Sequence, residues 1–134
     1  MSRKPERFGV LALDPHLDCR GWVVNPFADL PAGSSISDCH AFSVAPGARR
    51  GNHAHPERDE RVAVLAGSLR ATDLGTGTSL DLSSDEPRLL LIAPGVPHVF
   101  ENTGSAVAVA ICFSTVPQGP DAGGAAPAGR ISLR

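Results

Sequence analysis

Residues 47–67 read GARRGNHAHPERDERVAVLAG. Two histidines, His53 and His55, stand one residue apart in a chain that has only five, and Glu60 follows. Glycines close both ends, and the Pro-Glu-Arg-Asp run before Glu60 marks a turn. Side chains two apart on a strand share a face. On that reading His53 and His55 are a pair of imidazoles on one side of a sheet. On the next strand Glu60, Val62 and Val64 share one face. Arg61, Ala63 and Leu65 share the other, and their partly apolar surface needs a cover. A third imidazole comes from PGVPHVFEN (residues 94–102), where His98 and Phe100 share a face.

Three neutral imidazoles and one carboxylate suit a single divalent transition metal (Zn, Fe, Mn, Ni, Co or Cu) rather than calcium or magnesium. Four ligands, His53, His55, Glu60 and His98, leave one or two positions of a five- or six-coordinate ion open to water or substrate. The plain alternative for a bare His-x-His is two surface-turn histidines and an unrelated third.

The rest of the chain supplies the frame. A length of 134 residues is one domain, large enough to bury a core without staples. A net charge of −2 gives no reason to expect nucleic acid as a partner. No apolar run approaches the roughly 20 residues that span a bilayer, so no membrane partner is expected. The start, MSRKPERFGV, has no apolar stretch after its charges, and a cytoplasmic location is expected. The three cysteines, Cys19, Cys39 and Cys112, are odd in number and widely spaced, and are expected as reduced thiols packed as small hydrophobes.

Gly (14) and Pro (12) recur as punctuation every eight to twelve residues, which suits many short strands. Strands are expected near 20–25, 36–45, 51–55, 60–66, 68–74, 78–82, 88–93, 97–102 and 106–114, an all-β sandwich or barrel. Residues 1–8 are expected as a mobile charged end, 9–116 as a single barrel, and 117–134 as a Pro/Gly/Ala-rich tail.

The full spacing decides between the two readings of the histidines. Gly47, His53, His55, Glu60 and Gly67 resemble the first signature motif of the cupin superfamily without a departure. Gly95, His98 and Asn102 fit the second, with Ala93 where a proline and Pro87 where a glycine is expected. The resemblance covers roughly residues 40–114. It implies a cupin double-stranded β-helix, a jelly-roll barrel, with a metal at His53, His55, His98 and Glu60, of which Glu60 is the variable ligand.

Three further stretches narrow the class. DCRGWVVNPF (18–27) resembles the N-terminal motif of deoxysugar-nucleotide 3,5-epimerases and 3,4-ketoisomerases at Asp18, Arg20, Gly21 and Phe27. Val23 replaces an aromatic there, and Asn25 a glutamate. Arg50-Gly51-x-His53 and LSSDEPRLLLIAPGVPHVF (82–100) are similar to segments of the same enzymes. RGNHAH with Glu60 looks most like the cupin domain of capsular-polysaccharide epimerase–reductases. The resemblance implies an isomerase or epimerase of a 4-keto sugar nucleotide or similar carbohydrate. Arg20, Arg50 and Phe100 would bind substrate, and the arginine forks suit a diphosphate. Arg49, Arg58, Arg61 and Arg70 are expected as surface charge. Proton abstraction beside a carbonyl needs a base and a stabilised enolate. The resemblance gives His53 the base role in metal-free members. With a metal bound, Glu60, a metal hydroxide or His40 must serve. The chain contains no tyrosine, the acid those metal-free enzymes use. Small cupins of this kind pair, so a homodimer is expected, with Arg20 reaching into the partner's site. Two other classes share the donor set: a metal-dependent oxygenase or lyase on a small organic acid, and a non-catalytic small-molecule-binding cupin.

Overall fold

A computed structural model describes residues 7–115, with the backbone but not the side chains of Asn52 and His53. The expected tail, and all but Arg7 and Phe8 of the expected mobile end, lie outside the described residues. Eleven strands and no helix make up the described chain: β1 (Phe8–Ala12), β2 (His16–Asp18), β3 (Gly21–Val23), β4 (Ile36–Val44), β5 (Arg49–His53), β6 (Glu60–Ala66), β7 (Ser68–Asp73), β8 (Ser79–Ser83), β9 (Arg88–Ile92), β10 (His98–Glu101) and β11 (Ala108–Thr115). Every pairing is antiparallel. One sheet runs β1-β9-β6-β11-β4, a second runs β5-β10-β7-β8, and β2-β3 stand apart as a hairpin. This is the expected all-β jelly-roll barrel of the cupin type.

The inner core lies between the two large sheets. Val62 and Val64 of β6, Leu90 and Ile92 of β9, and Ala108, Ala110 and Cys112 of β11 meet Leu69, Ala71, Leu82 and Phe100. Each set follows the period of two that a one-faced strand requires. The five-stranded sheet is buried on its outer face as well. There Ala63, Leu89, Leu91 and Phe113 pack with Leu13 and Ile36, and Val24, Phe27 and Leu30 lie against them. The Phe27 ring meets Phe113 edge-on, with centroids 4.7 Å apart. Residues 24–30 are thus the cover that the outer face of β6 needs, and they belong to the chain itself.

That cover corrects the reading of Arg61 as surface charge. Arg61 is 4% exposed. Its Nη1 donates to both carboxylate oxygens of Asp29 at 2.8 and 2.7 Å, and its Nε to Asp59 at 3.3 Å. Asp59 also accepts from the amide and hydroxyl of Thr115, each at 2.9 Å. A guanidinium taken out of water this way must be paired, and the covering segment brings the pair with it.

Four other expectations shift. The apolar run FGVLA, taken largely into the barrel without a strand, forms β1 on the edge beside β9. Phe8 opens that strand, and Arg7 pairs with Asp73. The strand expected at 51–55 runs two residues earlier and stops at His53, so His55 lies in the turn before Pro56 rather than on the strand. Cys112 is buried, Cys39 half-buried and Cys19 exposed, so the packed-hydrophobe reading fails for Cys19 at the tip of the β2–β3 hairpin.

Two outcomes follow from these ion pairs. Asp29→Ala leaves the buried Arg61 short of its main partner and lowers stability by about 2–4 kcal/mol in urea unfolding. Arg70→Ala, which removes an exposed pair with Asp81, costs under about 1 kcal/mol. The Asp73 carboxyl is held at about 2, first by the Arg7 hydrogen bond and further by Gly75 and Thr76, against the effect of burial. A folded-state value below the unfolded one stabilises the fold above about pH 4, and that stability fades as pH falls toward 2. The Tm deficit of Arg7→Ala is therefore full at neutral pH and closes across that acidic window. A deficit that stays constant to pH 2 contradicts the pairing.

Candidate functional site

One end of the inner face opens into a cavity of about 500 Å³ whose lining includes His55, Glu60, His98, Phe100 and Cys112. Each element delivers its residue for a local reason. The turn Ala93–Val96 carries Gly95 in the left-handed region at φ +82° and hands the chain to β10 at His98. β10 then lies against β5 with one extra residue on the β5 side: Val99 pairs with Gly51, whereas His98 pairs with His53. Such a bulge re-aims side chains beside a site. Gly51 permits it. Its φ is +103°, and a Cβ there would stand 2.9 Å from the His98 carbonyl oxygen. Asn102, the last residue of the second motif, is a structural part. Its amide donates to the carbonyls of Val44 and Ala106 at 2.9 and 2.8 Å and locks the turn after β10.

Glu60 is the hub. Its Oε2 lies 3.3 Å from His98 Nε2 and 3.6 Å from Cys112 Sγ. Its Oε1 lies 3.0 Å from His55 Nε2, but out of line for a hydrogen bond, so Oε1 is a buried acceptor without one. Burial pushes the Glu60 carboxyl up, but the hydrogen bond and charge of His98, with His55 and Cys112, outweigh it and hold the group below its ordinary value. For His98, burial acts downward and Glu60, Val96 and Asp73 act upward, with a net rise. Burial and the Glu60 charge raise Cys112 far above its ordinary value and keep it a thiol.

The tautomer of His98 follows from its neighbours. Nδ1 is 2.8 Å from the Val96 carbonyl, which can only accept, so Nδ1 carries a proton. A neutral ring then points the Nε2 lone pair at the carboxylate. Lone pair against anion is unfavourable unless Nε2 is protonated or a cation lies between them. Backbone orientation of Nδ1–H is also how metal-binding imidazoles are held. The donor set therefore fits a divalent transition ion: two imidazole Nε2 atoms and a carboxylate with an unsatisfied oxygen. As they stand, these groups contact one another. No group of three or more His, Cys, Asp or Glu side chains among the described residues is arranged to hold an ion. The side chain of His53 is outside that description, and its backbone places it at the end of β5 opposite His98.

The other sequence candidates divide. Arg50 lines the cavity, and its Nε donates to the Ser43 carbonyl at 2.7 Å. Phe100 lies on the wall, 5.3 Å from the Phe42 ring and 5.5 Å from the His98 ring between centroids. His40 lines the same wall, with Nδ1 3.1 Å from Asp38 Oδ2. Arg20 is not brought to this cavity. It sits on the β2–β3 hairpin, where its backbone amide and guanidinium both donate to Asp18, and its side chain is 85% exposed. Four lining side chains have no place in the sequence reading of the site: Phe42, Arg49, Arg58 and Cys112. Arg49 and Arg58, expected as surface charge, line the cavity, and Arg58 Nη2 lies 3.5 Å from His55 Nδ1. Cys112 was read only as a core residue. Its in-phase spacing with Ala108 and Ala110 in β11 was the available signal.

Comparison with known proteins agrees with this architecture. No curated protein matches the sequence. Among solved structures, the chain is similar to a dTDP-6-deoxy-D-glucose-3,5-epimerase from Legionella pneumophila in complex with dTDP-4-keto-L-rhamnose, at 20% identity and TM-score 0.67, over 99% of this chain and 76% of that one. It is similar to a mutant sugar 3,4-ketoisomerase from Thermoanaerobacterium thermosaccharolyticum in complex with TDP-4-keto-6-deoxyglucose, at 16% identity and TM-score 0.67, over 87% and 85%. It is also similar to a capsular polysaccharide assembling protein from Staphylococcus aureus, at 22% identity and TM-score 0.52, over 83% of this chain and 31% of that one. These are the three groups that the motifs resemble, and identities of this size establish a shared fold. The model of the cupin domain matches residues 40–114, more than half of the 134, and the chain belongs to the cupin family.

Proposed function

We propose that this cupin is an isomerase or epimerase acting on a 4-keto sugar nucleotide or a similar carbohydrate, with one divalent transition ion held by His53, His55, Glu60 and His98. The observation that carries the metal is the buried Glu60 Oε1, which has an imidazole beside it and no hydrogen bond. A buried acceptor left in this state is costly and asks for a partner. Such an ion, when bound, polarises a carbonyl oxygen and lowers the barrier to losing the neighbouring proton.

The cavity supports the substrate class. Arg49, Arg50 and Arg58 stand among its lining residues, and forked guanidinium groups suit a diphosphate. The rings of Phe42 and Phe100 offer an apolar wall for the face of a deoxysugar. Arg50 and Phe100 are the substrate contacts in this reading, and Arg20 contributes only if a second copy brings it in. The reading includes a homodimer in the cytoplasm. The exposed Leu17 and Val23 on the hairpin that carries Arg20 give that pairing an apolar surface.

Deuterium uptake tests the proposal. The protein is loaded in turn with Zn, Mn, Fe, Co, Ni and Cu and given 4-keto-6-deoxy nucleotide sugars in heavy water. Enzyme-dependent exchange at the carbon beside the carbonyl is expected. Glu60→Gln should lower bound metal by elemental analysis and abolish the metal-induced rise in Tm. Arg50→Ala should raise KM about tenfold or more with a smaller change in kcat. No exchange with any metal, together with oxygen consumption on a small organic acid, refutes the proposal in favour of an oxygenase.

A further inference from the structure

We infer that His40, oriented by Asp38, is the catalytic residue that takes the proton from the substrate carbon and returns it, an inference that rests on the epimerase reading above. Both residues lie on β4, two apart and therefore on one face. His40 Nδ1 is 3.1 Å from Asp38 Oδ2. An ionised carboxylate only accepts, so Nδ1 carries the hydrogen and Nε2 is left with its lone pair. A carboxylate that fixes the tautomer and orientation of an imidazole is the arrangement that general bases require.

The register places this base beside the proposed metal site. His40 pairs directly with Cys112 across β4 and β11. Side chains so paired on one face have Cβ atoms about 5 Å apart. Cys112 in turn touches Glu60 Oε2 at 3.6 Å. One small side chain therefore separates the imidazole of His40 from the Glu60–His98 floor. The gap is suited to a carbonyl at the floor with its neighbouring carbon beside His40. The wall continues through ring contacts from His40 to Phe42, with centroids 6.2 Å apart, and from Phe42 to Phe100. His40 is about half exposed, so a substrate can reach it.

Among the described residues, the other bases on the wall are committed. Glu60 is engaged by His98 and Cys112 through Oε2 and stands against His55 through Oε1. His98 uses Nδ1 on the Val96 carbonyl and turns Nε2 to Glu60. In the step itself, the C–H bond beside the carbonyl breaks and its proton moves to His40 Nε2. The bonding electrons become the enolate. Return of a proton from the imidazolium to the same carbon is the exchange alone; its delivery to the former carbonyl carbon, with the neighbouring hydroxyl proton passing to the enolate oxygen, moves the carbonyl by one position and completes an isomerisation, and no oxidant or reductant is required.

The experiment compares the metal-loaded wild-type protein with His40→Gln, His40→Ala and Asp38→Ala. Glutamine fills the position and bonds Asp38 but has no basic nitrogen. Both His40 variants should slow deuterium exchange by about 10²–10⁴-fold, with metal content unchanged and KM within about threefold. Asp38→Ala should slow it about tenfold. Long-range ¹H–¹⁵N correlation spectra should show His40 protonated at Nδ1 in the wild type, and no longer mainly so in Asp38→Ala. Exchange at the wild-type rate in His40→Gln overturns the role of His40 while leaving the epimerase reading intact, and so does a wild-type His40 protonated at Nε2. Loss of metal or substrate binding in both His40 variants overturns it as well, by making the residue structural. Absence of exchange in the wild-type protein overturns the epimerase reading and the role of His40 with it.

Discussion

A carboxylate at the first residue of β6 points into the apolar interior of the barrel, and much of the site answers that one charge. An ionised group in such a place is tolerated only when opposite charge and hydrogen bonds surround it. Glu60 collects them from four directions: His98 from the second sheet, His55 from the preceding turn, Cys112 from the neighbouring strand, and the Arg58 guanidinium behind His55. The bulge in β5, the close approach allowed by Gly51 and the turn at Gly95 all serve to bring His98 to that point. Removing the Glu60 charge would take from the two imidazoles the group that they share.

The next residue repeats the problem on the other side of the sheet. Arg61 points outward from the same strand and is buried as deeply as Glu60. Its compensation comes from Asp29 and Asp59 beneath the covering segment 24–30. Two opposite charges back to back on a central strand, each neutralised within its own layer, make the register of β6 costly to change. A slip of one residue would put the guanidinium among histidines and the carboxylate among aspartates. The two layers therefore fix each other: the outer cover that holds Arg61 also holds Glu60 in phase with the cavity.

How much of this the sequence disclosed depends on how local each constraint is. The spacings Gly47–Gly67 and Gly95–Asn102 reflect turns and strand phase within short stretches of chain, so the barrel was legible from them, and the side chains of His55, Glu60 and His98 stand in contact within it. The alternation Glu60-Val62-Val64 read correctly because period two is a backbone property. Arg61 was misread because its burial depends on residues 24–30, more than thirty positions away, and nothing local shows that a loop returns to cover it. The role of Arg58 likewise lies in how a turn folds back toward His55. The strand 51–55 was placed too late because alternating polarity marks a face but not where pairing stops. Arg20 was assigned by likeness of motif. In the chain itself Asp18, two residues before it, holds it at the hairpin.

The absence of tyrosine from the whole chain bears on the chemistry of this cavity. The aromatic rings on its wall are Phe42 and Phe100, which give shape and an apolar surface and can neither give nor take a proton. Cys112 is kept as a thiol by burial and by the charge of Glu60, so it is no nucleophile at neutral pH. The arginines stay charged at any working pH. Among the described lining residues, proton transfer thus falls to imidazoles and to Glu60 alone. A site restricted in this way favours reactions in which one proton leaves carbon and one returns, since the same imidazole can perform both halves. It also makes the wall at β4 decisive for stereochemistry: the face from which the His40 imidazole reaches the substrate sets the configuration it can restore, and inversion would need a second proton donor on the opposite side.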